Sequence, residues 1–577
     1  MIFNKNISSL KKDLNLSDEI LHILANRGLT TKSEVDEFLN PDLDKLHDPF
    51  LMKDMDIAVD IVLDSIEKDE HIHIVGDYDQ DGNSATVTLI KGLKVLHDRI
   101  TYAIPDRIED GYGINTSMVD TAIRNGVDLI ITCDNGISAH EAVSYAKDKG
   151  LKVIITDHHQ VKIDEDDKQS LPAADAVINP HRLDCDYPFK ELCGAGVAYK
   201  LICGINEAVG IPIEESYELL QYVAMGTVCD VVDLLGENRV IVVEGLKRIN
   251  NTSNLGLLSL IEQNSWNKDV DVYALGFVLG PCINASGRLS TARLGVELFL
   301  EEDEELVVNY AMELVRLNNE RKAITQDTLD GVIDEIEEKE LYKNDIIVVY
   351  SSKAHESIVG IVAGRVKDKY HRPTIVFAES KDHGIIKGSG RSIETYDMHA
   401  KLTEAKHLLK SFGGHKMAAG LSLEMDNLKT LEKFLNENSL LTKKELQREI
   451  TIDVAFPTEK VDENFIDELS ILEPFGKGNS KPVFADKNLD LLNYQILGQN
   501  KNVIKLNIAK AGRVIECIGF GDVSSIEEYL QNRFGTQISN GYSTNNRKPN
   551  YIDLVYFPKI NEFRGNITVQ LQIIDIR

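Results

Sequence analysis

What most constrains the fold of this chain is a short apolar run that ends abruptly in acid. Ile72-His73-Ile74-Val75 reads as a buried strand. It is followed by Gly76-Asp77-Tyr78-Asp79-Gln80-Asp81-Gly82, three carboxylates at every second position. The next segment, Ala85-Thr86-Val87-Thr88-Leu89-Ile90, continues as a helix ending near Leu96. Negative charge crowded into so small a volume is costly unless a cation neutralises it, so a divalent metal is expected there. Asp-x-Asp-x-Asp-Gly also opens an EF-hand calcium loop. That loop needs a bidentate Glu at its last position, here Thr88, and a helix in front of it. Both requirements fail.

The pattern recurs twice. Leu129-Ile130-Ile131-Thr132-Cys133 ends in Asp134-Asn135-Gly136, and Lys152-Val153-Ile154-Ile155-Thr156 ends in Asp157-His158-His159. Short β-type runs alternating with helical stretches predict a parallel α/β sheet, and in such sheets ligands bind beyond the carboxyl ends of the strands. Asp230, after the apolar run 223–229, offers a fourth acid. Converging carboxylates and imidazoles suit a metal pair such as manganese. Plainer roles compete. Asp134 before Gly136 also fits a turn or helix cap, and Asp157 fits orienting a neighbouring His equally well. His73 and Asp233 read as structural or peripheral. Cys133 and Cys229 read as small buried residues, since thiolates favour softer metals.

A length of 577 residues exceeds one ordinary domain and predicts about three. The net charge of −30 argues against a protein that coats nucleic acid non-specifically. It leaves room for an enzyme that grips a strand with a few local Arg and Lys residues. Seven cysteines without a Cys-x-x-Cys pair are expected as reduced thiols in a cytoplasmic protein. The N-terminus reads as polar rather than as a signal peptide, and no apolar run approaches the about 20 residues of a membrane span.

The expected organisation is a helical lead-in (1–50), a catalytic α/β domain (51–300), a helical connector (301–340), a smaller α/β domain (341–440) and a β-rich domain (449–577). The connector carries Arg316, Arg321 and Lys322 among Glu, Leu, Val and Ile at helical spacing, and reads as solvated rather than DNA-gripping. In the smaller domain, strands are expected at 346–350, 374–378 and 385–389. Lys387-Gly388-Ser389-Gly390-Arg391-Ser392 and Gly413-Gly414-His415-Lys416 read as Gly-rich loops that let backbone and Arg391 approach a phosphate. Strands at 450–454, 483–484, 503–508, 514–520, 552–557 and 567–574 predict a small barrel. Tyr494, Lys501, Lys505 and Arg513 are its candidate strand contacts, and 539–550, with Arg547-Lys548-Pro549, is an expected mobile loop.

In this order DYDQDG, CDNG, DHH and GTVCDVV resemble the DHH phosphoesterase superfamily. The similarity narrows to its bacterial single-strand-DNA exonucleases through IPDRIEDGYGIN, INPHRLDCDYPFKELCGAGVAYK, GTVCDVVDLLGENR, GPCINASGRL, AHESIVGIVAGR, FGGHKMAAG and LEPFGKGNSKPVF. It extends from about residue 50 to the C-terminus. DHH alone is a weak tripeptide; the ordered set is specific. The resemblance implies a DHH domain, a DHH-associated domain and a C-terminal OB-fold that binds single strands. It implies Asp77, Asp79, Asp134, His158 and Asp230 as ligands of two Mn2+ or Mg2+ ions, with Asp79 and Asp134 bridging. Asp81 and His159 would join them as catalytic residues, His159 against the scissile phosphate, and Arg288 would hold a phosphate oxygen. Ser389, Arg391, Gly414 and His415 would seat the DNA 5′ end, with His355 a secondary candidate.

The implied activity is 5′-to-3′ digestion of single-stranded DNA to 5′-mononucleotides in recombination and repair. The implied partners are single-stranded DNA, single-strand-binding protein and a RecQ-type helicase, with the enzyme a monomer. Cys282 and Asp233 stand where the family more often carries Arg and Pro. One alternative substrate class is short oligonucleotides, pAp or cyclic dinucleotides, although the compact relatives with those activities lack a β-rich barrel. The other alternative, a non-catalytic scaffold, fits poorly with a complete set of acids.

Overall fold

The computed structural model describes residues 7–107, 110–163, 168–381, 383–498, 501–521, 523–535, 549–563 and 565–577. Of the loop expected at 539–550, only Pro549 and Asn550 are among them. The chain forms two compact units. One comprises His47–Asp230 and Glu244–Glu449; the other comprises the described part of Met1–Leu46, with Val231–Val243 and Ile450–Arg577.

The larger unit begins with a five-stranded sheet, β1 (Ile72–Val75), β2 (Ile100–Ala103), β3 (Leu129–Cys133), β4 (Lys152–Thr156) and β5 (Ala176–Ile178), in the order β2-β1-β3-β4-β5. Every pairing is parallel. β1 and β3 are buried along their whole length, which is why they read as unbroken apolar runs rather than alternating ones. In this register Val75 pairs with Thr132 and Thr132 with Ile155, so β1, β3 and β4 end together at one edge. The acidic segment is not all turn, because Gln80–Lys94 is already helix and Asp79 is its N-cap. That helix packs against Gly194–Ala208 and Leu220–Cys229.

The connector is a single helix, Glu304–Glu338, opened by Asp303, whose carboxylate accepts from the backbone of Glu305 and Leu306. Beyond it lies a second sheet of β6 (Ile347–Tyr350), β7 (Thr374–Glu379), β8 (Ile385–Arg391), β9 (Ser411–His415) and β10 (Ala418–Glu424), ordered β6-β7-β8-β10-β9. Here the sequence expectation needs correction. The strand expected at 385–389 is found as β8 and runs on to Arg391, so the Gly-rich-loop reading fails there, and Gly413 to His415 are likewise strand, the two paired across the sheet by β10. Gly388 and Gly390 serve the core face. A Cβ on Gly388 would lie 2.5 Å from the Phe377 ring, and one on Gly390 3.1 Å from Met398.

In the smaller unit, β12 (Phe484–Leu497), β13 (Val503–Lys510), β14 (Arg513–Phe520), β15 (Tyr551–Phe563) and β16 (Asn566–Ile576) form a closed ring. The sheet runs β12-β13-β14-β16-β15 and β15 returns to β12. The strand expected at 450–454 is reduced to β11 (Val454–Ala455), whereas 483–484 proves to be the start of the 14-residue β12. Leu21, Leu24 and Val35 of the lead-in share one core with Phe456, Phe484 and Tyr556 of the barrel.

Three of the four expected barrel contacts are already occupied. Strand alternation turns Tyr494 inward, where it is 1 % exposed and accepts a hydrogen bond from Gln531. Arg513 donates to the carbonyls of Glu459 and Val461, and Lys505 pairs with Glu516. Lys501 stays on an exposed turn.

Candidate metal centre

The acids converge because each strand end is shaped by close packing. Asp134 sits in the left-handed region at φ 61°, is 2 % exposed, and its Oδ1 has no hydrogen-bond partner. Gly194 makes room for it, since a Cβ there would lie 2.4 Å from Asp134 Cβ. Asp77 is equally buried, and its Oδ1 is likewise unpartnered. Asp79 Oδ1 accepts from the amides of Asp81 and Gly82 at 2.9 and 3.1 Å. Asp81 reaches the start of the helix Gly194–Ala208, accepting from the amides of Gly194 and Ala195 at 2.6 and 3.0 Å. Asp230 comes from a helix end rather than a strand, as C-cap of Leu220–Cys229.

His158 Nε2 lies 3.1 Å from Asp134 Oδ1, 3.7 Å from Asp230 Oδ2 and 3.9 Å from Asp81 Oδ2. Ligand atoms of Asp77, Asp79 and Asp134 lie within 4.8 Å of one another, as do those of Asp81, His158 and Asp230 and those of Asp134, His158 and His159.

The electrostatics of the bare cluster are strained. Burial first, then the charge of Asp79, pushes the Asp77 carboxyl well above its usual range. Burial and the neighbouring acids do the same to Asp134. Asp81 is pushed up to about 6, mainly by burial and Asp79. Burial, then His159, drives His158 down to about 3, so its imidazole is neutral and offers a lone pair.

Asp157 behaves differently. Burial alone would raise it, but its oxygens accept from His159 Nδ1 at 2.7 Å and from the amides of His158, His159 and Ile137, and they hold the carboxyl low. It orients the two histidines rather than facing the acids. Burial opposes a charge on His159, yet the Asp157 bond outweighs it and lifts the imidazole to about 9. Tyr112, which lies in the motif IPDRIEDGYGIN but had no role assigned to it, donates to the Asp134 carbonyl at 2.9 Å, with its hydroxyl 3.2 Å from His159 Nδ1.

Crowded carboxylates that cannot all ionise, two orphaned carboxylate oxygens and a neutral imidazole form an oxygen-rich donor set. It fits Mn2+ or Mg2+. No thiol competes. Cys133 Sγ contacts Thr86 and Cys229 Sγ donates to the Leu275 carbonyl. His73 is packed on Thr101, and Asp233 pairs with Lys477 in the barrel unit.

Beside the acids lies a cavity of about 620 Å³ lined by Arg107, Arg288, Ser357, Lys387, Ser389 and Arg391, among others. Arg288, near the end of the helix Gly280–Leu289, donates to the Ser357 carbonyl at 2.7 Å, and His355 Nδ1 is 2.7 Å from Ser357 Oγ. Arg391 lies against Gly360, where a Cβ would be 2.7 Å from its Nη2. Gly414 and His415 do not line this cavity. They sit on edge strand β9, with Ala418 paired to Arg391 on one side and His415 on the other. Arg107 belongs to the motif IPDRIEDGYGIN, but a single Arg in a turn gives no spacing from which to read its role.

A parallel sheet whose strand ends deliver acids and a DHH tripeptide into one divalent-metal site defines a DHH-type phosphoester hydrolase. The DHH family N-terminal domain matches residues 71–227, the DHHA1 domain 343–439 and the RecJ OB domain 452–575. The chain is 32% identical to the single-stranded-DNA-specific exonuclease RecJ of Haemophilus influenzae, over 93% of this chain and 92% of that protein. Against RecJ of Escherichia coli it is 34% identical, over 90% and 89%. It is 35% identical to RecJ of Bacillus subtilis, over 89% of this chain but only 64% of that longer relative. The crystal structure of RecJ in complex with Mn2+ from Thermus thermophilus superposes with a TM-score of 0.81 at 25% identity, covering 99% of this chain and 77% of that one. The chain belongs to the RecJ family of single-stranded-DNA-specific exonucleases. Among the described residues, no helix is long and apolar enough to cross a membrane.

Proposed function

We propose that this chain hydrolyses single-stranded DNA from its 5′ end to 5′-mononucleotides, with Asp77, Asp79, Asp134, His158 and Asp230 holding two Mn2+ or Mg2+ ions. The observation that carries this reading is the convergence of acids from two strand ends and a helix end around the neutral imidazole of His158, itself at the end of β4. Asp134 belongs to two of the ligand groups, which supports a bridging role. Divalent cations bound there supply a polarised water and positive charge for the attacking and leaving oxygens of an in-line displacement.

The chain's own residues do the rest. His159, kept cationic by Asp157, offsets charge on the non-bridging oxygens of the scissile phosphate, and Arg288 does so from the cavity side. Arg107, Ser389 and Arg391 seat the terminal 5′ phosphate, so cleavage is counted from a chain end. Asp81, bound to the first amides of the helix Gly194–Ala208, holds that helix against the acids. Gly414 and His415 extend the same strand row and meet the DNA further from the cleaved bond. Family membership supports a monomeric, cytoplasmic enzyme working with single-strand-binding protein and a RecQ-type helicase.

The test is digestion of 5′-labelled single strands with Mn2+, alongside duplex and dinucleotide controls. Mononucleotide release from the single strand, abolished in Asp134→Ala, is the expected result. Undiminished activity in that variant would refute the site, and preferential cleavage of the dinucleotide would favour the short-substrate reading.

A further inference from the structure

In a chain of net charge −30, most arginines end on an acid or on backbone oxygen. Arg316, on the connector helix, is the ordinary case. It is clamped by Glu313 at 2.7 and 2.8 Å and by Glu320 at 2.8 Å. Arg239 and Arg372 donate to backbone carbonyls instead.

Arg321, less than two turns beyond Arg316, does neither. Its Nη2 donates to Asn318 Oδ1 at 2.5 Å, and its Nε is buried with no partner. Arg365, on the helix Val359–Tyr370, is exposed and reaches only Gln326 Oε1 at 3.3 Å. Burial and the Arg365 charge both lower the basicity of Arg321, and Arg321 in turn acts on Arg288.

The position of Arg321 is fixed from below. Asn318 Nδ2 donates to Cys282 Sγ at 3.3 Å, and Cys282 lies on the same helix as Arg288. Side chains from two helices therefore fix the Arg321 guanidinium with its Nε unpartnered, on the same helix whose Gln326 meets the Arg365 guanidinium. Like charges so placed repel unless an anion joins them, and planar forks of N–H donors match phosphate oxygens.

We propose that Arg321 and Arg365 form a second phosphate subsite on the connector, which holds a backbone phosphate of the single strand other than the one at the metal centre. The proposal rests on the nuclease reading above and deepens it. Arg107, Arg288 and Arg391 suffice for a terminal phosphate, whereas a further pair of guanidiniums serves only a substrate with more phosphates. Binding by this pair must therefore depend on substrate length.

The experiment compares the full chain with Arg365→Gln, Arg321→Gln and Arg321→Lys, all with Mn2+. Substrates are a 5′-phosphorylated oligothymidylate of about 20 nucleotides and 5′-phosphorylated thymidine dinucleotide, each at several salt concentrations. Each Gln variant is expected to raise KM for the long strand about tenfold, with kcat within about twofold and dinucleotide kinetics unchanged. The slope of log affinity against log salt should fall by about 0.7 for each phosphate that a variant no longer neutralises, while Arg321→Lys retains it. Arg365 is exposed, so its Gln variant leaves no buried group unpaired and reports even if Arg321→Gln misfolds. An unchanged long-strand KM and salt slope in Arg365→Gln would overturn the subsite, as would an equal loss on both substrates. A wild-type chain that digests neither substrate would overturn the nuclease reading instead.

Discussion

Asp157 and Asp134 end neighbouring strands, yet their surroundings give them opposite chemistry. Asp157 is saturated by three amides and the His159 imidazole, whereas Asp134 Oδ1 has no hydrogen-bond partner and lies 3.1 Å from His158 Nε2. Asp157→Asn keeps the shape but loses the charge that orients the histidines. We expect about a 10–100-fold loss of Mn2+ affinity, measured by titration calorimetry, with a parallel fall in kcat. A variant with wild-type affinity would show that the histidines orient themselves. Both acids were visible in the sequence, because apolar strands that end in Asp are easy to see. Their division of labour was not, since spacing cannot reveal which oxygens meet amides. Tyr112 and Arg107 lay within the motif IPDRIEDGYGIN but outside any periodic pattern, and their roles emerged only with the fold.

Among the elements, strands that end in acid were legible, and glycine was the misleading signal. The strand expected at 385–389 was right, but the run Lys387 to Arg391 also suggested a phosphate-cradling loop, and it is instead a central strand whose glycines admit Phe377 and Met398 from the core side. Ser389 and Arg391, on the opposite face, supply the polar groups, and the glycine that makes room for them is Gly360 on a distant helix. Gly388→Ala would drive a methyl into the Phe377 ring. Overpacking of this kind costs about 1–3 kcal/mol, so the urea midpoint should fall while Mn2+ affinity holds. A midpoint equal to wild type would mean that the Phe377 ring can move aside freely. β13 to β16 were found where β-branched runs predicted them, but the strand expected at 450–454 shrank to β11, and β12 was underestimated because Asp486, Lys487 and Asn488 interrupt its apolar pattern.

On the scale of the whole molecule, the sequence did not reveal that the lead-in and residues 231–243 fold with the barrel. Those contacts join residues hundreds of positions apart. The Ser17 amide donates to Glu468 at 2.7 Å, the Leu234 amide to the Lys477 carbonyl at 2.8 Å, and Arg239 covers the Phe38 ring at 4.0 Å while donating to the Glu473 carbonyl at 2.6 Å. No local pattern encodes such pairings. The division into two units gives metal binding a localised signature. The desolvated acids all belong to the larger unit, so cations that relieve their repulsion stabilise that unit by mass action. At 100 times Kd the gain is about 2.7 kcal/mol per ion. Hydrogen exchange with and without Mn2+ should therefore show added protection in the helices Gln80–Lys94 and Gly194–Ala208, which carry Asp81 and its amide partners. Amides of β12 to β16 should exchange unchanged, and chelation should reverse the effect. Equal protection of the barrel would mean that the two units unfold as one, and no protection of the two helices would mean that the acids do not hold the metal.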